Sequence, residues 1–101
     1  MKTKKKILLV DDDPDIVESM RVVLESKGYG VSCALNGPEG LKKAREEHPD
    51  LIILDVMMPG GIDGFEVARE IKKDAGIKNA SILMLTAIKE KTGLDFQKEA
   101  G

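Results

Sequence analysis

At 101 residues the chain has room for one domain, and its 42% hydrophobic and 34% charged residues give the composition of a globular protein rather than a disordered or fibrous one. A formal net charge of −2, with no basic stripe, removes any electrostatic case for nucleic-acid binding. No apolar run approaches the roughly 20 residues that a membrane helix requires, and the apolar segment behind the N-terminal lysines, Ile7 to Val10, is too short for a signal-peptide core.

The cluster Lys2, Lys4, Lys5 and Lys6 reads as a solvated tail that keeps the first strand soluble. Ile7-Leu8-Leu9-Val10 is a short apolar run of the kind that forms a strand buried on both faces, and it ends in Asp11, Asp12 and Asp13. Pro14 fits the first helical position, with Asp13 as N-cap and Asp15 in the first turn. Ile16, Val17, Met20, Val23 and Leu24 recur at helical spacing and predict one apolar stripe, with Gly28 closing the helix. Tyr29 to Leu35 is a second, less apolar strand expected near a sheet edge. Within it Cys33, the single cysteine, reads as a small core residue; it excludes an intrachain disulfide and fits a reducing, cytoplasmic setting.

Asn36-Gly37-Pro38 opens a second helix with a thin apolar face, Leu41 and Ala44, which ends before Pro49. Leu51-Ile52-Ile53-Leu54 is a third buried strand, bounded upstream by His48-Pro49-Asp50 and running into Asp55. A loop through Met57, Met58, Pro59, Gly60, Gly61 and Asp63 leads to a third helix carrying Phe65, Val67, Ala68 and Ile71. Ser81 to Leu85 is a fourth strand ending at Thr86, and Lys89 to Ala100 reads as a loop and a short helix, with Gly101 at its end. Strands alternating with amphipathic helices predict βαβ units: an α/β fold with a doubly wound parallel sheet.

Asp55 at the carboxyl end of a buried strand lies where open α/β sheets place their ligands. Alone it is a nucleophile, a metal ligand or a helix-capping residue. Three strand ends carry the chemistry: Asp11-Asp12, Asp55 and Thr86. On one rim the three carboxylates repel one another, and a divalent cation resolves the conflict. Oxygen donors suit Mg²⁺, which keeps several waters when the protein supplies only a partial shell.

The pattern resembles the receiver domain of two-component response regulators. The resemblance runs from Ile7 to about Gly101. It is carried by Leu-Leu-Val-Asp-Asp at 8–12, Asp-Leu-Ile-Ile-Leu-Asp-Val-Met-Met-Pro at 50–59, Asp-Gly-Phe-Glu at 63–66 and Leu-Thr-Ala at 85–87. Each motif alone is weak; the four in this order are specific. The resemblance implies a flavodoxin-like receiver fold and makes Asp55 the phosphoacceptor, supplied by a histidine kinase, a phosphotransfer protein or a small phosphodonor. It makes Asp12 a ligand of Mg²⁺, with Asp11 as the second acidic-pair member acting partly through water. Asp55 and the backbone carbonyl of Met57 complete the protein ligands, and Thr86 is the switch hydroxyl that moves toward the phosphoryl group.

Two departures from the family pattern stand out. Gly60-Gly61-Ile62 makes the loop one residue longer than the commonest spacing. Receivers also have a fifth strand ending in a phosphate-pairing lysine, a nearby aromatic switch residue and a fifth helix. Lys89, Lys91 and Lys98 lie in the wrong segment for that lysine, so the sequence reads as a receiver spanning 1–101 that lacks its last strand and helix. An unpaired edge on the fourth strand is then expected to favour homodimerisation or strand exchange.

Simpler readings compete. Asp11 to Asp15 could be a helix N-terminus alone, and this remains the favoured account of Asp13 and Asp15. The run also mimics a calcium loop, but Ile16 stands where glycine is needed and Val22 where the bidentate Glu is needed. A haloacid-dehalogenase-type phosphatase wants a small residue at Asp15 and a larger chain. His48 reads as a surface residue, Met57 and Met58 as loop packing, and Gly60-Gly61 as a turn without the Gly-Lys-Ser/Thr of a nucleotide site. Glu66, Arg69, Glu70, Lys72 and Lys73 read as a solvated helix face. The rivals to a phosphoacceptor are a pseudo-receiver, a binding module of the same fold independent of phosphorylation, and a small metal-dependent phosphatase, which lacks a placed general acid–base. The expected module is not a turnover enzyme, is cytoplasmic, and binds neither nucleic acid nor membrane.

Overall fold

A computed structural model describes residues 4–58 and 63–85. The elements alternate as β1 (Lys6–Val10), α1 (Pro14–Ser26), β2 (Gly30–Ala34), α2 (Gly37–Glu47), β3 (Leu51–Asp55), α3 (Gly64–Lys73) and β4 (Ser81–Leu85). The four strands form one parallel sheet in the order β2-β1-β3-β4. The chain steps from β1 outward to β2, then returns past β1 to β3. The direction of winding therefore reverses between β1 and β3, and a crevice opens at the carboxyl ends of those two strands.

Both faces of the sheet are covered, which is why its central strands are apolar throughout rather than alternating. On one face Leu8, Val10, Ile52 and Leu54 pack with Leu41 and Ala44 of α2 and Val67 and Ile71 of α3. On the other, Ile7, Leu9 and Ile53 pack with Val17, Met20 and Leu24 of α1. Ile52, Leu54, Val67 and Ile71 are completely buried, and each such side chain stabilises the fold by about 1.5–3 kcal/mol relative to exposure.

Helix boundaries follow the cap chemistry of the sequence. Asp13 accepts from the backbone N–H groups of Asp15 (2.9 Å) and Ile16 (3.4 Å), and Pro14 follows at the first helical position. At the other end of α1, Gly28 takes φ +97°, its N–H donates to Glu25 O, and the Tyr29 N–H donates to Leu24 O. That pair of bonds is a Schellman closure, and it requires a residue at ease in the left-handed region. Asn36 caps α2 through Glu39 N–H (2.8 Å), and Asp63 caps α3 through Glu66 N–H (2.9 Å).

Several expectations are corrected in detail. Phe65 is 54% exposed instead of lining the core, because the buried stripe of α3 is Gly64, Val67 and Ile71, and Phe65 points to its flank. Val23 is likewise exposed on the border of the α1 stripe. β2 is shorter than expected, since Tyr29 completes the helix closure and Leu35 precedes the Asn36 cap. It does lie at a sheet edge, and Cys33 is half-buried, its thiol pushed up by burial. His48 is exposed, as expected, yet it closes α2 in the left-handed conformation (φ 51°). Its Nδ1 lies 3.3 Å from Gly76 O at the rim opposite the acidic strand ends. The expected loop and helix from Lys89 to Ala100 lie outside the described residues.

Candidate metal centre

β1 and β3 are direct neighbours in register, Val10 opposite Leu54, so the next residue of each strand is an aspartate on the same rim. Carboxylate oxygens of Asp11, Asp12 and Asp55 all come within 4.8 Å of one another. Asp11 and Asp55 are buried, at 8% and 4% exposure, whereas Asp12 faces solvent. Each buried carboxylate is held by the chain that follows it. Asp11 N–H donates to Ala34 O (3.1 Å), which prolongs the β1–β2 ladder, and Asp11 Oδ1 accepts from Asp13 N–H (3.0 Å). Asp55 Oδ1 accepts from Met57 N–H (3.2 Å). Val56 N–H donates to Leu85 O (2.9 Å), which ties the turn after β3 to the end of β4.

Burial pushes the Asp55 carboxyl up from its ordinary 3.8 to about 6; the Met57 N–H opposes the rise, and the charges of Asp11 and Asp12 add to it. Three acidic groups gathered at a crevice, one of them with a raised proton affinity, make a site that gains from a positive charge. The donor set is oxygen only, with an exposed member that leaves one side open to water. That chemistry fits a hard divalent cation of the Mg²⁺ type and does not fit zinc, which prefers nitrogen and sulfur.

Of the residues expected at the site, Asp11, Asp12 and Asp55 are brought together. Met57 is adjacent and 51% exposed, and it contributes an N–H donor to Asp55. Thr86 lies outside the described residues, as do Gly60 and Gly61. Leu85, the residue before Thr86, stands opposite Asp55 in the β3–β4 register. Asp13 caps α1, and Asp15 lies in its first turn, in keeping with the simpler reading of both. The Met57 N–H and the cap at Asp63 escaped the sequence reading. The second was visible as an Asp three residues before Glu66 at the start of an apolar stripe.

The chain is similar to several known proteins. The chain is 48% identical over 97 residues to the alkaline phosphatase synthesis transcriptional regulatory protein PhoP of Bacillus subtilis, covering 96% of this chain and 38% of that protein. It is 34% identical over 96 residues to protein PilH of Pseudomonas aeruginosa, covering 95% and 78%. The chain thus spans less than half the length of the Bacillus regulator and more than two thirds of PilH. Among solved structures, it superposes with a TM-score of 0.76 and 44% identity on response regulator protein TrrA of Thermotoga maritima in complex with Mg²⁺ and BeF, covering 96% of this chain and 81% of that one. The N-terminal domain of a response regulator receiver protein from Methanoculleus marisnigri gives a TM-score of 0.79 at 40% identity, covering 84% and 68%. The match to the response regulator receiver domain extends over residues 7–101, and the chain belongs to that family, a class of signalling modules with a parallel sheet and a flavodoxin-like fold.

Proposed function

We propose that this receiver accepts a phosphoryl group on Asp55, in a Mg²⁺-dependent reaction, from the phosphohistidine of a sensor histidine kinase or phosphotransfer protein, and changes conformation in response. The observation that carries the reading is the convergence of Asp11, Asp12 and Asp55 at the crevice where the winding of the sheet reverses. Asp12, Asp55 and the Met57 carbonyl would hold the cation directly, and Asp11 partly through water. When bound, the cation neutralises the charge that develops on the phosphoryl oxygens.

The chain supplies the rest. A carboxylate oxygen of Asp55 attacks phosphorus, the P–N bond of the phosphohistidine breaks, and the imidazole leaves with the bonding electron pair and is protonated from solvent. An acyl phosphate on Asp55 results. The Met57 N–H donates to Asp55 Oδ1 and fixes which oxygen faces the crevice. Thr86 follows the β4 residue that pairs with Asp55, a location suited to a hydroxyl that follows the new phosphoryl oxygens. On this reading the domain is a cytoplasmic switch and not a turnover enzyme, and it has no nucleic-acid or membrane surface of its own.

Beryllofluoride with Mg²⁺ tests the proposal. Amide shifts are expected to cluster at Asp12, Asp55 and Thr86 and to vanish in Asp55→Asn. No shift with beryllofluoride and Mg²⁺ even in a longer chain that carries the phosphate-pairing lysine would leave the pseudo-receiver standing, and turnover of a phosphate ester would favour a phosphatase.

A further inference from the structure

We propose that Gly64 is a positioning residue for the acidic site, a point at which α3 sets the backbone of the phosphoacceptor. This rests on the reading of Asp55 and its neighbours given above. Gly64 is the first residue of α3 and is buried. A Cβ built on it would lie inside van der Waals contact with the carbonyl oxygen of Asp55, and 3.0 Å from both Asp55 C and Val56 Cα. The requirement is therefore space, not an unusual backbone angle. The obstruction is main chain, which has no rotamer to yield. Gly40 offers the contrast: a Cβ there would meet the Cγ atoms of Val10, side-chain atoms that are free to shift.

The same residue also bonds to the turn it touches. Gly64 N–H donates to Val56 O (3.3 Å), while Val56 N–H donates to Leu85 O (2.9 Å). The turn from Asp55 to Met57 is thus gripped from two sides, by the last residue of β4 and the first residue of α3. It carries the Asp55 carboxylate, the Met57 N–H that orients it, and the Met57 carbonyl. Any side chain at Gly64 must push this turn or the helix away, and either movement shifts ligand atoms that have to converge within tenths of an ångström. Asp63 caps the same helical turn through Glu66 N–H, which holds Gly64 in place.

The test is Mg²⁺ affinity by titration calorimetry, with amide spectra of the Mg²⁺-free protein beside it. Gly64→Ala is expected to bind Mg²⁺ about 10-fold or more weakly, as loss of a ligand-orienting contact does elsewhere. Its Val56 and Met57 amide resonances are expected to move before any Mg²⁺ is added. Ile77→Val, a core change at the opposite rim, is the control for lost stability and is expected to keep the parent affinity. Asp63→Ala loosens the same turn without adding atoms and covers the case in which Gly64→Ala does not fold; it too is expected to bind more weakly. Parent-like affinity in folded Gly64→Ala overturns the proposal, as does parent-like affinity in Asp63→Ala should the first variant not fold. A parent protein that binds no Mg²⁺ would sink the reading of the acidic cluster itself, whereas a binding parent with indifferent variants sinks only the role of Gly64.

Discussion

Asp55→Asn is expected to yield a protein that takes no phosphoryl group from any donor and yet, without Mg²⁺, is more stable than its parent at neutral pH. Loss of acceptance follows from loss of the nucleophile, because an amide oxygen forms no acyl phosphate. The gain in stability follows from the electrostatics. Asp55 is 4% exposed and lies beside two other carboxylates, and its pKa rises from 3.8 to about 6. A carboxyl group with a raised folded-state pKa favours folding in its protonated form. That contribution is fully present below the unfolded value and is lost as the pH climbs through about 6. At about 1.4 kcal/mol per pH unit, the ionised group costs at most ~3 kcal/mol at neutral pH. Asn keeps the shape and carries no charge.

The same sign fixes the pH dependence. The advantage of Asp55→Asn over the parent is expected to be greatest near neutral pH and to shrink as the pH falls from about 6 toward 4 and the parent protonates. Urea melts of both proteins across this range measure it directly. A variant equal to or weaker than its parent at neutral pH would mean that Asp55 is not strained in the folded protein. Covalent incorporation from a small phosphodonor, read by intact mass, checks the other half.

The strands were legible in the sequence because each central one is buried on both faces and so appears as an unbroken apolar run ending in a polar residue. β3 begins at Leu51 and runs into Asp55, as its apolar run predicts. The acidic site was legible for a related reason: parallel strands present their carboxyl ends on one rim, and a residue's place at a strand end survives any detail of packing. What periodicity does not resolve is which side of an apolar stripe meets the sheet. Phe65 and Val23 fit the helical spacing but fall on its borders, and only the docking angle of the helix settles their exposure. Close backbone approaches are equally silent. Nothing in the sequence marks Gly64 out, because the Asp55 carbonyl it touches is brought there by tertiary structure.

Mg²⁺ is expected to act on this protein as a stabiliser whose strength depends on pH. A ligand that binds only the folded state adds stability in proportion to the logarithm of its concentration, about 2.7 kcal/mol at a hundred times its dissociation constant. Here the cation also relieves repulsion among Asp11, Asp12 and Asp55, whose oxygens lie within 4.8 Å of one another. Asp55 must be ionised to serve as a ligand, so binding has to displace its proton wherever that proton is present. Mg²⁺ affinity is therefore expected to fall as the pH drops through about 6, with proton release on binding at about pH 5.5 and little at about pH 8. Calorimetry in two buffers of different ionisation enthalpy separates the proton from the cation. Asp12→Asn removes the exposed carboxylate proposed as a ligand, and it is expected to weaken Mg²⁺ by about 10-fold or more and to flatten the rise of the melting temperature with added Mg²⁺. Affinity that stays constant from about pH 5 to pH 8 would show that the proton-binding group and the cation-binding group are not the same. Asp55 would then be a buried acid that happens to end a strand, since ionisation at this one carboxylate is what joins a costly buried charge to the chemistry proposed for it.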